Sequence, residues 1–156
     1  MAKKRMFSLD VVDTDDFLDL PCSAQALYFH LGMHGDDDGF IANPRRIMHA
    51  VGGRPKDFHT LVAKGYIIPF DSGVIAVRDW RINNDLKNDR YHETLYAEEK
   101  DLLTLDDSRR YVLDTGRIHA GSKMETEHNI TEHNGTEQNS GKVRTGKVRI
   151  VQGSIG

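Results

Sequence analysis

The sequence NPRRIMHAVGGRPKDFHTLVAKGYIIPFDSGVIAV, residues 43–77, contains two short helix patterns followed by a hairpin pattern. Asn43-Pro44 and Pro55 mark two helix starts, because Pro is favoured at the first helical position. Gly52-Gly53 separates the two helices. Gly65 is expected to end the second helix as its C′ residue, where Gly accepts the left-handed conformation at low cost. These signals predict a pair of consecutive helices joined by a tight turn.

A β-hairpin is predicted directly after the second helix. The runs Tyr66–Ile68 and Val74–Val77 are β-prone, and the turn Asp71-Ser72-Gly73 lies between them. Upstream, Ser23 is a suitable N-cap for an apolar-periodic helix that ends near Gly35, and Phe40-Ile41 form a short apolar run. The predicted order is helix, strand, helix, helix and hairpin, which is the order of a winged helix.

Further elements are expected on both sides of this core. Asp13 to Leu20 reads as a short helix with Asp13 as its N-cap, and His92 to Leu103 reads as a last helix. Trp80 and Ile82 alternate with polar residues, so they are expected to extend the last strand. The fold class is therefore α+β: a winged helix with a three-helix core, a β-hairpin wing, an extra short N-terminal helix and a C-terminal helix.

The second part of the chain has a different composition. Residues 1–105 are expected to form the winged-helix domain. Residues 106–156 are poor in apolar residues and are expected to be a disordered, low-complexity tail. The tail contains five-residue repeats and ends in the basic stretch 142–156. The single cysteine, Cys22, excludes an intrachain disulfide and fits a reducing compartment. No run is long enough to span a membrane, so a cytoplasmic protein of a bacterial host cell is expected.

The charge of the chain is uneven. The formal net charge is −3 over 156 residues. Residues 1–105 hold 13 Lys and Arg against 17 Asp and Glu, and residues 106–156 hold 8 against 7. An acidic folded domain does not by itself indicate nucleic-acid binding, so the local distribution of basic residues must carry that hypothesis.

Catalysis and metal binding are not indicated. His30 and His34 lie four residues apart and precede Asp36-Asp37-Asp38, but no third ligand with fixed spacing follows, and a solvated turn is the expected role of the three aspartates. The sequence has no nucleophile motif and no phosphate-cradling Gly loop. We therefore expect no enzyme activity, no metal site and no cofactor.

Several polar residues are candidates for contact with DNA. Lys56, His59 and Thr60 fall on the outward face of the third core helix and are candidates for base edges. Arg45 and Arg46 of the second helix, with Arg78 and Arg81 after the hairpin, are candidates for phosphates. The remaining candidates lie in the turn between the helices or follow the hairpin: Arg54, Asn83, Asn84, Lys87 and Arg90.

Several stretches of the sequence resemble a known family. They are Met6–Asp10, Leu27–Met33, Asp37–Phe40, Trp80–Asn84, Lys87, Asp89–Tyr91 and Tyr96–Lys100. Together they are similar to the N-terminal domain of phage replisome-organiser (replication initiation) proteins of Gram-positive hosts, winged-helix relatives of the primosome protein DnaD. The resemblance covers about residues 1–105. It implies binding of origin DNA and recruitment of replication proteins such as a helicase loader. A second helical domain, which longer members have after this point, is not evident here.

The sequence therefore predicts a non-enzymatic DNA-binding replication initiation protein. Its expected partners are double-stranded DNA, further copies of itself and host or phage replication proteins, with no membrane. Two alternatives stay open at this point. One is a transcriptional regulator with the same fold, and the other is an oligomerising adaptor that does not bind DNA. The net acidic charge of residues 1–105 favours the adaptor.

Overall fold

The fold combines short helices with two small antiparallel sheets. A computed structural model describes residues 3–87 and 90–117. The helices are α1 (Leu9–Val12), α2 (Asp15–Leu18), α3 (Cys22–Met33), α4 (Pro44–Ala50), α5 (Pro55–Ala63), α6 (Trp80–Asn83) and α7 (Ala97–Asp101). The strands are β1 (Phe40–Ile41), β2 (Ile67–Pro69), β3 (Ile75–Val77), β4 (Leu103–Leu105) and β5 (Tyr111–Leu113). The α+β class expected from the sequence is confirmed.

The first sheet has the strand order β1-β3-β2, with both pairs antiparallel. Phe40 is opposite Ala76 in one pair, and Ile68 is opposite Ala76 in the other. The predicted hairpin therefore forms between β2 and β3, and the short apolar run at 40–41 adds a third strand to its inner edge. All three residues of β3 are buried, as expected for the central strand of a sheet that packs against helices.

The helix ends at the centre of the chain follow the local sequence signals. Pro44 and Pro55 occupy the first positions of α4 and α5. After α5, Gly65 adopts φ +78°, and the next residue, Tyr66, donates its backbone N–H to Leu61 O at 2.9 Å. This is a Schellman ending, in which a Gly in the left-handed region turns the chain out of the helix. The turn sends the chain directly into β2.

The core lies between α3, α5 and the first sheet. Leu27, Tyr28 and Leu31 of α3 are fully buried, and Leu61 of α5 is buried against the same cluster. Tyr28 packs edge-on against Phe17 and Tyr66. Burial raises the pKa of the Tyr28 hydroxyl, which accepts a hydrogen bond from Asn83 Nδ2 at 2.9 Å. The short N-terminal helices thus cover an aromatic part of the core.

Four local expectations need correction. The N-terminal segment forms two single-turn helices, because Thr14 interrupts it and caps α2 by accepting from Phe17 N at 3.3 Å. Ser23 is not the N-cap of α3. The helix already begins at Cys22, and the Ser23 hydroxyl donates to Asp57 at 2.7 Å. Trp80 begins the helical turn α6 instead of extending β3. The last helix is only Ala97–Asp101.

Regular structure continues beyond residue 105, where the sequence predicted a disordered tail. Strands β4 and β5 pair with Leu103 opposite Leu113 and Leu105 opposite Tyr111. The hairpin is joined to the core because Tyr111 is buried and its backbone N–H donates to Arg78 O at 2.9 Å. Low apolar content misleads here, since two buried side chains, Leu103 and Tyr111, attach the short hairpin to the core. The predicted repeats and basic end of the tail lie outside the described residues.

Candidate nucleic-acid interface

The helix pair α4–α5 presents an exposed basic surface. Its side chains that reach solvent include Arg45 and Arg46 on α4 and Lys56 on α5. His49, His59 and Lys64 are exposed on the same two helices and their ends. Within the described part of the chain, Arg45, Arg46, Lys56 and Lys64 form no ion pair. The charges of Arg45, Arg46 and Lys56 are therefore available to an external anion, whereas Lys64 lines a pocket together with Asp10, Asp16 and Asp79.

One acidic residue occurs in this helix pair, and it is buried. Residues 42–65 contain five Lys and Arg and a single acid, Asp57, which gives a formal charge of +4. Asp57 is 2% exposed and accepts hydrogen bonds from Ser23 Oγ at 2.7 Å and Arg54 N at 3.1 Å. The hydrogen bond from Ser23 is the main cause that lowers the pKa of Asp57, and Arg54 contributes further. The carboxylate is therefore satisfied inside the protein and does not oppose an anion at the surface.

The turn between the two helices holds them in a fixed relation. Gly53 donates its backbone N–H to Met48 O at 2.8 Å, and Gly52 adopts φ +68°. A Cβ at Gly53 would come within 3.3 Å of Met48 O and 3.5 Å of Leu27. The two glycines thus allow α4 and α5 to pack closely on α3. Arg54 is exposed at this turn, where its guanidinium lies 3.6 Å from Asp57.

The residues predicted after the hairpin have internal partners. Arg78 contacts the buried carboxylate of Asp79 at 3.1 Å, and Arg81 pairs with the fully buried Asp38. Asn83 and Asn84 are buried, and their side-chain oxygens accept the backbone N–H groups of Ser8 at 2.9 Å and Met6 at 3.0 Å respectively. These four side chains hold the N-terminal segment and α6 in place, so the structure does not gather them with the α4–α5 surface.

The other predicted residues are more exposed. Lys87 and Arg90 are exposed and lie beyond α6, away in sequence from the helix pair. His59 is exposed on α5, and Thr60 is half-buried, with its hydroxyl donating to Lys56 O at 2.9 Å. Arg45, Arg46, Arg54, Lys56, His59 and Thr60 therefore all lie on α4, on α5 or in the turn between them. Sequence reasoning had placed His49 on this surface but left out Lys64, which is exposed directly after the last residue of α5.

The tip of the β2–β3 hairpin carries negative charge. Asp71 is exposed at the tip, and Ser72 donates its hydroxyl to Glu99 of α7 at 2.5 Å. Glu98 is exposed one residue away. The exposed Asp71 and the α7 residue Glu99 therefore lie together at the tip of the hairpin. This arrangement disfavours the hairpin tip as a DNA contact.

The aspartate cluster 36–38 is an internal hub, which corrects the expectation of a solvated turn. Asp38 is fully buried and accepts hydrogen bonds from Tyr91 Oη at 2.8 Å and Thr94 N at 3.0 Å. It also pairs with Arg81 and, at 3.1 Å, with Lys100 Nζ. Although burial acts against the charged amine, hydrogen bonds from Lys100 to Tyr91 and Asp38 raise the pKa of Lys100. One buried carboxylate thus connects three segments that are distant in sequence.

The two flanking aspartates extend the hub. Asp37 pairs with the buried Arg5 at 3.0 Å and accepts from His92 N at 3.0 Å. Desolvation acts to raise the pKa of Asp37, but the hydrogen bonds from His92 and Arg5 outweigh it, so this pKa is lowered. Asp36 accepts from the backbone N–H groups of Asp38 at 3.0 Å and Phe40 at 2.9 Å. Among residues 3–87 and 90–117, no group of His, Cys, Asp or Glu is arranged to hold a metal ion.

Comparison of the chain with protein-family models, curated proteins and solved structures gives no match. In the described ranges, no helix combines the length and apolar character that crossing a membrane requires.

Proposed function

We propose that the protein is a winged-helix DNA-binding protein that contacts duplex DNA through the α4–α5 surface. The element order helix, strand, helix, helix, hairpin supports this fold, as does the antiparallel strand order β1-β3-β2. In winged helices and related helix-turn-helix folds, the second helix of the pair enters the major groove. Here that helix is α5, and Lys56, His59 and Thr60 are its candidates for base edges.

One observation carries the proposal: five Lys and Arg are exposed on residues 42–65, and the single acid there is buried and paired. Arg45 and Arg46 are the candidates for phosphates, because Arg donates several hydrogen bonds to phosphate oxygens. The hairpin is not part of the proposed contact, since its tip lies beside the acids of α7. A single domain is then expected to bind with modest affinity.

The role that we propose is initiation of phage DNA replication, as a replisome organiser that binds origin DNA or recruits replication proteins. The support for this role is the resemblance of the quoted stretches in residues 1–105 to that family. The oligomerising adaptor is the second candidate. The specific observation that favours it is the acidic character of the surface outside α4–α5, since residues 6–44 hold no Lys or Arg.

Fluorescence anisotropy with a labelled duplex tests the proposal on the full chain. We expect binding at low salt in the micromolar range, as for weak electrostatic association with DNA. Arg45→Ala with Arg46→Ala should lower affinity about tenfold or more. Arg109→Ala is the matched control, because Arg109 is exposed, loosely paired at 3.8 Å with Asp85, and lies on the β4–β5 hairpin. Equal effects of the two changes, or no binding at all, would refute the proposed contact.

A further inference from the structure

The outward side of α5 is formed by four residues of different chemistry. Lys56, His59, Thr60 and Ala63 are separated by steps of three and four residues, so they fall within an arc of about 100° on the helix. Lys56, His59 and Ala63 are exposed, and Thr60 is half-buried. The helix rises by about 10 Å over this stretch, which fits within the roughly 12 Å width of the major groove. We call these four residues the outer face of α5.

The opposite side of α5 is occupied by the protein itself. Leu61 is fully buried, and Phe58 and Val62 pack against the same core. Asp57, the single acid of this helix, is buried and accepts a hydrogen bond from Ser23. The outer face therefore has no carboxylate that could accept a hydrogen bond from the amino group of cytosine.

The outer face also lacks most of the side chains that identify a purine by two hydrogen bonds. The sequence of α5, PKDFHTLVA, contains no Arg, Asn or Gln, which form bidentate pairs with guanine or adenine. Lys56 carries its charge on a flexible stem, so it can bind a phosphate as well as a base. The two ring nitrogens of His59 point apart, so this side chain offers a base one hydrogen bond. Polar contacts alone therefore give the outer face little discrimination between base pairs.

The other two residues of the outer face offer methyl groups. Ala63 is the exposed last residue of α5, and its side chain is a single methyl group. The Thr60 hydroxyl donates to Lys56 O at 2.9 Å. Its hydrogen is thus used within the helix, and Thr60 has a γ-methyl group to offer to a base in place of a donor. Thymine is the base that carries a methyl group in the major groove, and Ala and the Thr methyl are side-chain groups that contact it.

We propose that α5 recognises thymine by its 5-methyl group, and that Thr60 and Ala63 make this contact. The ligand is then duplex DNA with A·T pairs at the positions covered by the second half of α5. The inference rests on the proposed function, because it requires α5 to enter the major groove. It goes further by naming the base and the chemical group that α5 distinguishes.

The thymine contact is separable from the phosphate contacts. Arg45 and Arg46 lie on α4, and contacts to phosphates carry no sequence information directly. Changes on α4 should therefore weaken binding to every duplex by the same factor. Changes at Thr60 or Ala63 should instead alter the preference for thymine.

The test compares two labelled duplexes that differ in one kind of chemical group. The first is an alternating A·T duplex of about two helical turns. The second has uracil in place of every thymine, which removes the 5-methyl groups and keeps the base pairing. Fluorescence anisotropy with the full chain measures both affinities. Because the change is made in the DNA, the fold of the protein is the same in both measurements.

We expect the wild-type protein to bind the thymine duplex more tightly than the uracil duplex. Burial of one methyl group is worth about fourfold in affinity, so two contacts should give about fifteenfold. Thr60→Ser removes the γ-methyl group and keeps the hydroxyl, and Ala63→Gly removes the β-methyl group. Each of these changes should reduce the ratio of the two affinities to about fourfold.

Ala50→Gly is the matched control, because Ala50 is the exposed last residue of α4, as Ala63 is of α5. This change, and the double change Arg45→Ala with Arg46→Ala, should leave the ratio of the two affinities unchanged, even where both affinities fall. Equal affinity of the wild type for the two duplexes, or an equal loss of the ratio in Ala50→Gly, overturns the inference and leaves the proposed DNA contact standing. Absence of binding to either duplex overturns both.

Discussion

Asp38→Ala tests the internal hub by removing its central carboxylate. In the structure this carboxylate is fully buried and interacts with Arg81, Lys100, Tyr91 and Thr94 N. Removing one partner of a buried ion pair typically costs about 3–5 kcal/mol, because the remaining charge loses its compensation. The side chains of Arg81 and Lys100 are about a quarter exposed, so partial hydration offsets some of that cost. We expect a loss of about 3 kcal/mol in the free energy of unfolding.

Chemical denaturation followed by tryptophan fluorescence measures this change directly. Trp80 is the single tryptophan, is 1% exposed and donates its ring N–H to Asp37 O at 2.9 Å, so its emission reports on the hub. Glu93→Ala is the control, because this exposed acid also pairs with Lys100 but should cost less than about 1 kcal/mol. A loss below about 1 kcal/mol for Asp38→Ala would show that the hub does not stabilise the fold.

Three further changes test other parts of the structure by the same denaturation assay. Tyr111→Ala should cost about 3–5 kcal/mol, since this ring is buried and attaches β5 to the core; an effect within about 1 kcal/mol would put the end of the folded domain before β5. Gly39→Ala should cost more than Gly73→Ala: both have positive φ, but a Cβ at Gly39 would collide with Trp80 and one at Gly73 meets nothing within 4 Å. Because the pKa of Asp57 is lowered in the folded state, its ionised carboxylate stabilises the fold above about pH 4, and this stabilisation is lost as pH falls through the folded pKa. Asp57→Asn should therefore flatten the decline in the free energy of unfolding between about pH 5 and pH 3. An unchanged slope would contradict this.

Local signals predicted the centre of the fold well. Pro44, Pro55 and Gly65 act through the backbone of their own residues, so their effect on helix ends can be read without knowing the rest of the structure. The same applies to Asp71-Ser72-Gly73, whose turn chemistry separates two β-prone runs. The outward face of α5 followed from the helical period, and the structure places Lys56 and His59 there.

The hub could not be predicted in this way. Asp38 is buried because Arg81, Tyr91 and Lys100 surround it, and these residues lie 43 to 62 positions further along the chain. Charged residues with no local partner look solvent-exposed in a sequence. The same reasoning assigned Arg81 and Asn83 to DNA, although their side chains stabilise the domain interior.

Amide chemical shifts of the full chain during titration with a short duplex test the proposed DNA contact most directly. We expect shifts concentrated on α4 and α5, between Pro44 and Lys64, that shrink as salt is raised. The hairpin tip at residues 70–73 and helix α7 should change little, because their acids repel phosphate. Shifts centred on the tip or on α7, or no shifts at low salt and high micromolar duplex, would contradict the proposal that this protein binds DNA through its α4–α5 surface.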